Sequence, residues 1–257
     1  MQAHLNIAVR AARKAGNIVS KGFWERDRVK VAEKAANDFV TEIDKKSEAA
    51  IVDILTQTYP EHGILAEEGS EKSGNEYTWI IDPLDGTHNF INGIPHFAIS
   101  IALLHKGRLE QGVIYDPIKD DLFTASRGGG ATLNEQRIRV TNTKNLDNAL
   151  LATGLRIPNK QKVDQYLSTV NAMLKVCTDI RRMGSASLDL AYVAAGKMDG
   201  YWEYNLQPWD IAAGCLLVQE AGGMVSDTDG APKHLDNGNV LAATPKLFKV
   251  MAQTLRR

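Results

Sequence analysis

Leu5, Ala8, Val9, Ala12, Ala15 and Val19 recur at three- and four-residue steps, which places them on one helical face. The spacing returns after Asp44, where Ala49, Val52 and Leu55 alternate with charged positions until Pro60 ends a second predicted helix. Between the two, the polar stretch from Lys34 to Asp38 reads as a loop. The period then shortens. Gly63-Ile64-Leu65-Ala66 and Thr78-Trp79-Ile80-Ile81 are apolar runs of strand length, ending in Glu67-Glu68 and in Asp82. Residues 97–104, 109–115 and 122–125, separated by Lys106-Gly107-Arg108 and by Asp116-Pro117, predict an antiparallel meander. The rest alternates, with helices over 163–176, 185–195, 209–221 and after Pro245, and strands at 201–203, 224–225 and 240–242. The fold class is thus α/β, with an α+β half over about 1–145 and a layered α/β half over 146–257. No repeat or long linker divides them, which predicts a single domain over 1–257 whose halves share one cleft.

Composition narrows the choices. The 257 residues can bury a substantial core, and 30 Lys plus Arg nearly balance 31 Asp plus Glu, so no global field favours nucleic acid. Cys177 and Cys215 lie far apart with no neighbouring ligand pattern; they predict buried thiols, not a disulfide or a zinc site. No apolar run reaches the roughly 20 residues a membrane span needs. The opening MQAHLNIAVRAARKAG is interrupted by Arg and Lys, unlike a signal peptide, so a cytoplasmic protein is expected.

The acids supply candidate chemistry. In Trp79-Ile80-Ile81-Asp82-Pro83-Leu84-Asp85-Gly86-Thr87, an apolar strand breaks into two aspartates around a proline. Pro83 fixes the chain direction and Gly86 permits close approach, so Asp82, the Leu84 carbonyl and Asp85 can converge. Oxygen-only donors suit Mg²⁺ or Mn²⁺; two solvated aspartates at a strand end are the alternative. Asp210, opening a helix after Trp209, is either a further ligand or a cap for backbone N–H groups. Phosphoryl transfer would give the acids, Glu67 included, a joint purpose, because divalent ions neutralise phosphate oxygens and acidify water. Thr87-His88-Asn89-Phe90 reads as the first turn of a short helix, where the N–H groups of Gly86 and Thr87 can face a phosphate. Thr87 can also orient an attacking water if an acid holds its hydroxyl. Asp44 is either that acid or the N-cap of the helix after it.

NDFVTEID at 37–44, AEEG at 66–69, WIIDPLDGTHNF at 79–90, GSAS at 184–187 and QPWDIAAG at 207–214 together resemble the inositol monophosphatase family over nearly the whole chain. LNIAVRAARKAGN at 5–17 and RRMGSASLDLAYVAAGKMDGYWE at 181–203 look most like its bacterial SuhB-type branch. The resemblance implies the alternating α-β-α-β-α layered sandwich of the lithium-sensitive sugar phosphatases. It also implies Mg²⁺-dependent hydrolysis of phosphate monoesters, myo-inositol 1-phosphate first, with two or three ions and Mn²⁺ as a substitute. Glu67, Asp82, the Leu84 carbonyl, Asp85 and Asp210 match family metal ligands. Thr87 and Asp44 match the pair that activates water, with Glu67 as the further catalytic acid. The amides of Gly86 and Thr87 match phosphate contacts, while Asp85, the Ala186 backbone, Glu203 and Asp210 match the substrate-binding set. Lys34 sits near the position of a mobile lysine. Fructose 1,6-bisphosphate, 3′-phosphoadenosine 5′-phosphate, histidinol phosphate and NADP are the rival substrates within the family.

The resemblance further implies a homodimer. SuhB-type proteins also resemble transcription antitermination factors that bind NusA and RNA polymerase, and Arg181-Arg182 would mark a partner surface or be ordinary solvated residues. Two departures stand out. His88 replaces the second threonine of DGTTNF, either near the phosphate or as a surface histidine, and Gly69 replaces a serine, which loosens its loop. No cysteine or serine nucleophile with an adjacent base is apparent, so in-line attack by an activated water without a phosphoenzyme is expected.

Overall fold

The first apolar stripe belongs to α1 (Gln2–Trp24), which buries Ala8, Ala11, Ala12, Ala15 and Val19 against α2 (Glu42–Thr58). The computed structural model describes residues 2–26, 29, 31–35, 38–155 and 163–256, and for 31–35, 38–40 and 165 the backbone alone. α2 starts ahead of Asp44 and is capped by Thr41, whose hydroxyl accepts the N–H groups of Ile43 and Asp44. Strands β1 (Val31–Ala35) and β2 (Asp38–Thr41) pair as an antiparallel hairpin. Lys34 and Asp38 therefore lie in strands and not in the expected polar loop, and the Lys34 side chain falls outside the described residues.

Eight strands form the larger sheet: β3 (Gly63–Ala66), β4 (Glu71–Lys72), β5 (Tyr77–Asp85), β6 (Ala98–His105), β7 (Arg108–Asp116), β8 (Asp121–Ser126), β9 (Gly130–Leu133) and β10 (Gln136–Arg137). Their order is β10-β9-β8-β7-β6-β5-β3-β4. β3 and β5 run parallel and every other pair is antiparallel, so the expected meander is β6 to β8. The smaller sheet holds β11 (Leu150–Thr153), β12 (Asp179–Arg181), β13 (Gly200–Glu203), β14 (Met224–Ser226) and β15 (Val240–Ala243), in the order β12-β11-β13-β15-β14. The remaining helices are α3 (Thr87–Ile91), α4 (Val163–Leu174), α5 (Ala186–Ala194), α6 (Pro208–Glu220), α7 (His234–Asn237) and α8 (Pro245–Leu255).

Strand alternation explains the layers. Trp79, Ile81, Ile101 and Val113 cluster with α1 and α2, while Ile80, Ala102 and Ile114 face the opposite way onto α5 and α6. Those two helices also cover Ala152, Tyr201 and Ala242 of the smaller sheet. They therefore carry no polar stripe: every α6 residue from Asp210 to Val218 is buried. Leu151, Trp202 and Leu241 point outward onto Met173 of α4 and Leu247 and Met251 of α8. The stacking is α-β-α-β-α, as the sequence resemblance implies. Cys215 is buried as expected, whereas Cys177 is half-buried; both are free thiols. Among the described residues no helix is long and apolar enough to cross a membrane.

Candidate active site

A break in strand pairing gathers the first two acids. Asp82 pairs with Ser100 and Asp85 with Ala98, so three steps along β5 oppose two along β6. That bulge offsets the two-residue alternation, turning both aspartates toward the face that Ser100 and Ala98 share. Ser100 donates from this face to the Trp209 carbonyl, next to Asp210 at the start of α6. Pro83, which has no N–H for the ladder, sits inside the bulge, and its carbonyl accepts the Ser47 hydroxyl at 2.8 Å. β3 runs parallel to β5 and ends beside it, where the Glu67 N–H bonds the Ile81 carbonyl at 3.2 Å.

Asp82 is the centre of the resulting field. It is 1% exposed, and its carboxyl is held well above the usual range, first by burial and then by the charges of Glu67, Asp85 and Asp210. Glu67 is also hydrogen-bonded to it. The four acids are neighbours but not a finished cage: among the described residues no three His, Cys, Asp or Glu side chains stand ready to hold a metal ion. Their oxygens are engaged with protein donors. Asp82 Oδ1 accepts the Leu84 N–H at 3.0 Å, and Asp210 Oδ2 accepts the Gln207 N–H at 2.7 Å. Asp85 Oδ2 accepts the Ser185 hydroxyl at 2.6 Å and the Ser187 N–H at 2.8 Å, besides the Ser187 hydroxyl. Burial raises the Asp85 carboxyl, and these serines, with the Ala186 N–H, oppose the rise.

Thr87 joins the two parts of the site. Its hydroxyl lies 3.0 Å from Asp44 Oδ1 and 3.0 Å from the Leu84 carbonyl oxygen. Asp44 is fully buried, and its Oδ2 accepts the Thr41 N–H at 2.9 Å. It is thus both the third residue of the α2 capping box and the partner of Thr87, so the two readings of the sequence coexist. Asp210 repeats the pattern as the third residue of α6 behind Gln207, and is no N-cap either. Gly86 caps α3 at φ +95°, a conformation L side chains rarely adopt, and a Cβ there would come 3.1 Å from the His96 carbonyl.

Glu203 ends β13 and is buried. Its carboxyl is pushed up to about 7, first by burial; Asp210 and Asp85 add to the rise, while the Tyr201 hydroxyl, which donates to Oε2, and Arg182 oppose it. Asp189 of α5 is buried, its Oδ1 has no hydrogen-bond partner among the described residues, and its carboxyl is held well above the usual range, first by burial and then by the charges of Glu203 and Asp85. The site therefore runs from Thr87 and Asp44 through the four acids to Glu203. Glu67, Asp82, Leu84, Asp85, Thr87, Asp44, Ala186, Glu203 and Asp210 are linked along it by the bonds and charges above.

Several contributors escaped the sequence reading. Ser185 and Ser187 hold Asp85, and their signal was a serine pair at a helix start after glycine. Glu48, on the buried side of α2, accepts the N–H groups of Glu68 at 2.8 Å and Ser70 at 3.0 Å. That anchor pins the loop that Gly69 was expected to loosen, and Gly69 itself sits at φ +100°, where a serine would be strained. Asn89 donates to the carbonyls of His96 at 2.7 Å and Met183 at 2.9 Å, tying α3 to the loop before Ser185. His88 is exposed on α3. Arg181 is exposed and paired with Asp179, and the Arg182 charge acts back on Glu203 and Asp189.

A family model described as "Inositol monophosphatase family" matches residues 1–257. The chain is similar to the Nus factor SuhB of Escherichia coli K12, with 50% identity over 258 residues, covering 100% of this chain and 97% of that protein. It is similar in structure to the extragenic suppressor protein suhB of Bartonella henselae, with a TM-score of 0.96, 42% identity and 99% coverage of both chains. An inositol monophosphatase of Anabaena superposes with a TM-score of 0.85 at 37% identity, covering 99% of this chain and 96% of that one. With the layered fold and the carboxylates around Asp82, this match over the full length shows that the chain belongs to the inositol monophosphatase family.

Proposed function

We propose that this chain, acting as one domain over residues 1–257, is a Mg²⁺-dependent phosphatase of small phosphate monoesters, with myo-inositol 1-phosphate as its leading substrate. The observation that carries the reading is the convergence of Glu67, Asp85 and Asp210 on the buried Asp82. An all-oxygen acid cluster away from water is unfavourable unless protons or cations neutralise it, and its donors fit Mg²⁺ or Mn²⁺. Glu67, Asp82, the Leu84 carbonyl, Asp85 and Asp210 would hold the ions. Bound there, divalent ions neutralise phosphate oxygens and acidify water.

The chain's own groups do the rest. When the Thr87 proton points to Asp44 or to the Leu84 carbonyl, its oxygen lone pairs remain as acceptors and can hold a water by one of its protons. Asp44 keeps that hydroxyl oriented and is positioned to stabilise positive charge as the proton moves. The N–H groups of Gly86 and Thr87 bind phosphate oxygens, and Asp85, the Ala186 backbone, Glu203 and Asp210 bind the alcohol. Two such chains form a homodimer in this reading, in the cytoplasm. The test is kcat/KM with Mg²⁺ for inositol 1-phosphate, fructose 1,6-bisphosphate, 3′-phosphoadenosine 5′-phosphate and 2′-AMP. Inositol phosphate ranks first and a chelator abolishes turnover; activity that survives the chelator overturns the assignment.

The family member named Nus factor SuhB supports a second role, association with NusA and RNA polymerase. Co-purification with NusA that persists in an Asp82→Asn chain is the expected result, and a purified chain that never associates with NusA removes this role.

A further inference from the structure

Glu203 rests on a position that has no side chain. β11 and β13 run parallel with Thr153 opposite Trp202, which brings the next residue, Gly154, level with Glu203. A Cβ on Gly154 would overlap Glu203 Oε2, Cδ and Oε1. All three atoms lie well inside van der Waals contact, so the carboxylate occupies the volume that a side chain at 154 would take. Gly154 has no left-handed φ, so the backbone there accepts an L residue, and the demand for glycine comes from the carboxylate.

Neither partner can easily retreat. The Gly154 carbonyl accepts the Tyr166 hydroxyl. The Thr153 hydroxyl donates to the Trp202 carbonyl at 2.7 Å and meets Tyr166 Oη at 3.0 Å, which ties the seat to the strand that carries Glu203. On the carboxylate side, the Tyr201 hydroxyl donates to Oε2, and Glu203 is 5% exposed. A buried acid seated over a glycine and held by the Tyr201 hydroxyl keeps one geometry, and one geometry is what discrimination between alcohols requires.

We propose that Gly154 is a positioning residue: its missing side chain seats the Glu203 carboxylate, which then selects phosphate esters of alcohols bearing neighbouring hydroxyl groups over esters that bear none. The seat stands on geometry, and the selectivity rests on the phosphatase reading above.

Four proteins decide it: wild type, Gly154→Ala, Glu203→Ala and the double variant, each assayed with inositol 1-phosphate and para-nitrophenyl phosphate and each melted thermally. Losing one hydrogen bond from a charged group lowers the ratio of kcat/KM for inositol 1-phosphate to that for para-nitrophenyl phosphate about tenfold in Gly154→Ala. In the Glu203→Ala background the same substitution changes that ratio less than about twofold, because the clash is gone. The melts follow the same logic. Gly154→Ala lowers Tm by several degrees in wild type and by much less in Glu203→Ala. Equal loss on both substrates, or full additivity of the two substitutions in either readout, overturns the proposal. A wild-type chain that hydrolyses neither substrate overturns the phosphatase reading and the selectivity with it, while the thermal cycle still decides the seat.

Discussion

Replacing Glu203 with glutamine removes a specific share of the pH dependence of folding. The carboxyl is 5% exposed and is raised from 4.5 to about 7, with burial the largest cause. A carboxyl whose value is higher in the fold than in the unfolded chain stabilises the fold while protonated. That contribution is complete below 4.5 and is lost as pH rises through about 7. The gap of about 2.5 corresponds to roughly 3.4 kcal/mol at 1.36 kcal/mol per pH unit, of which about 2.5 kcal/mol disappears between pH 5 and 8. Glutamine keeps an oxygen for the Tyr201 hydroxyl and carries no charge, so the variant escapes the loss. At about 2–4 °C per kcal/mol for a chain of this size, its Tm relative to wild type rises by roughly 5–10 °C from pH 5 to pH 8. The assay is a pair of thermal melts in chelator at constant ionic strength. A Tm difference that is the same at both pH values would falsify the reasoning, because Glu203 would then titrate alike in the folded and unfolded chain.

Three further outcomes follow from the site. Asp82→Asn lowers kcat by about 10³-fold or more at saturating Mg²⁺ yet raises Tm in chelator at neutral pH, since it removes a carboxyl whose ionisation burial and the other three acids oppose; near-normal turnover, or a lower Tm, contradicts it. Thr87→Val lowers kcat by about 10²-fold or more while Thr87→Ser keeps most of it, and equal losses in steady-state assays would remove the hydroxyl from the mechanism. Asn89→Ala strips donors from the carbonyls of His96 and Met183 and lowers stability by about 2–3 kcal/mol in urea unfolding; a change under about 0.5 kcal/mol contradicts that suture.

Periodicity made most of the layers legible. The α1 stripe, the β6 to β8 meander and the alternation after residue 163 are local patterns, and local patterns survive in sequence. Short pairings did not: β9, β10, β11 and β12 have 2–4 residues each and depend on neighbours far along the chain. The hairpin that absorbs Lys34 and Asp38 is likewise made by pairing, not by apolar alternation. The acids at 67, 82, 85 and 210 could be named from residue type and resemblance, but the bulge that turns Asp82 and Asp85 to one face is a matter of register with β6. In sequence, Asp44 and Asp210 each read as either a cap or a functional group. A carboxylate has two oxygens, and in Asp44 one closes a capping box while the other receives Thr87. Glu48 acts through the N–H groups of residues 68 and 70, and Gly154 meets Glu203 49 positions on, so nothing near either in sequence marks these roles.

Calorimetric titration of Mg²⁺ into wild type and Asp82→Asn at matched ionic strength reads whether the acids around Asp82 hold divalent cations. Wild type should bind at least one Mg²⁺ with proton release, and the variant should lose that binding while keeping its fold. Identical Mg²⁺ isotherms for the two proteins would show that Asp82 holds no cation.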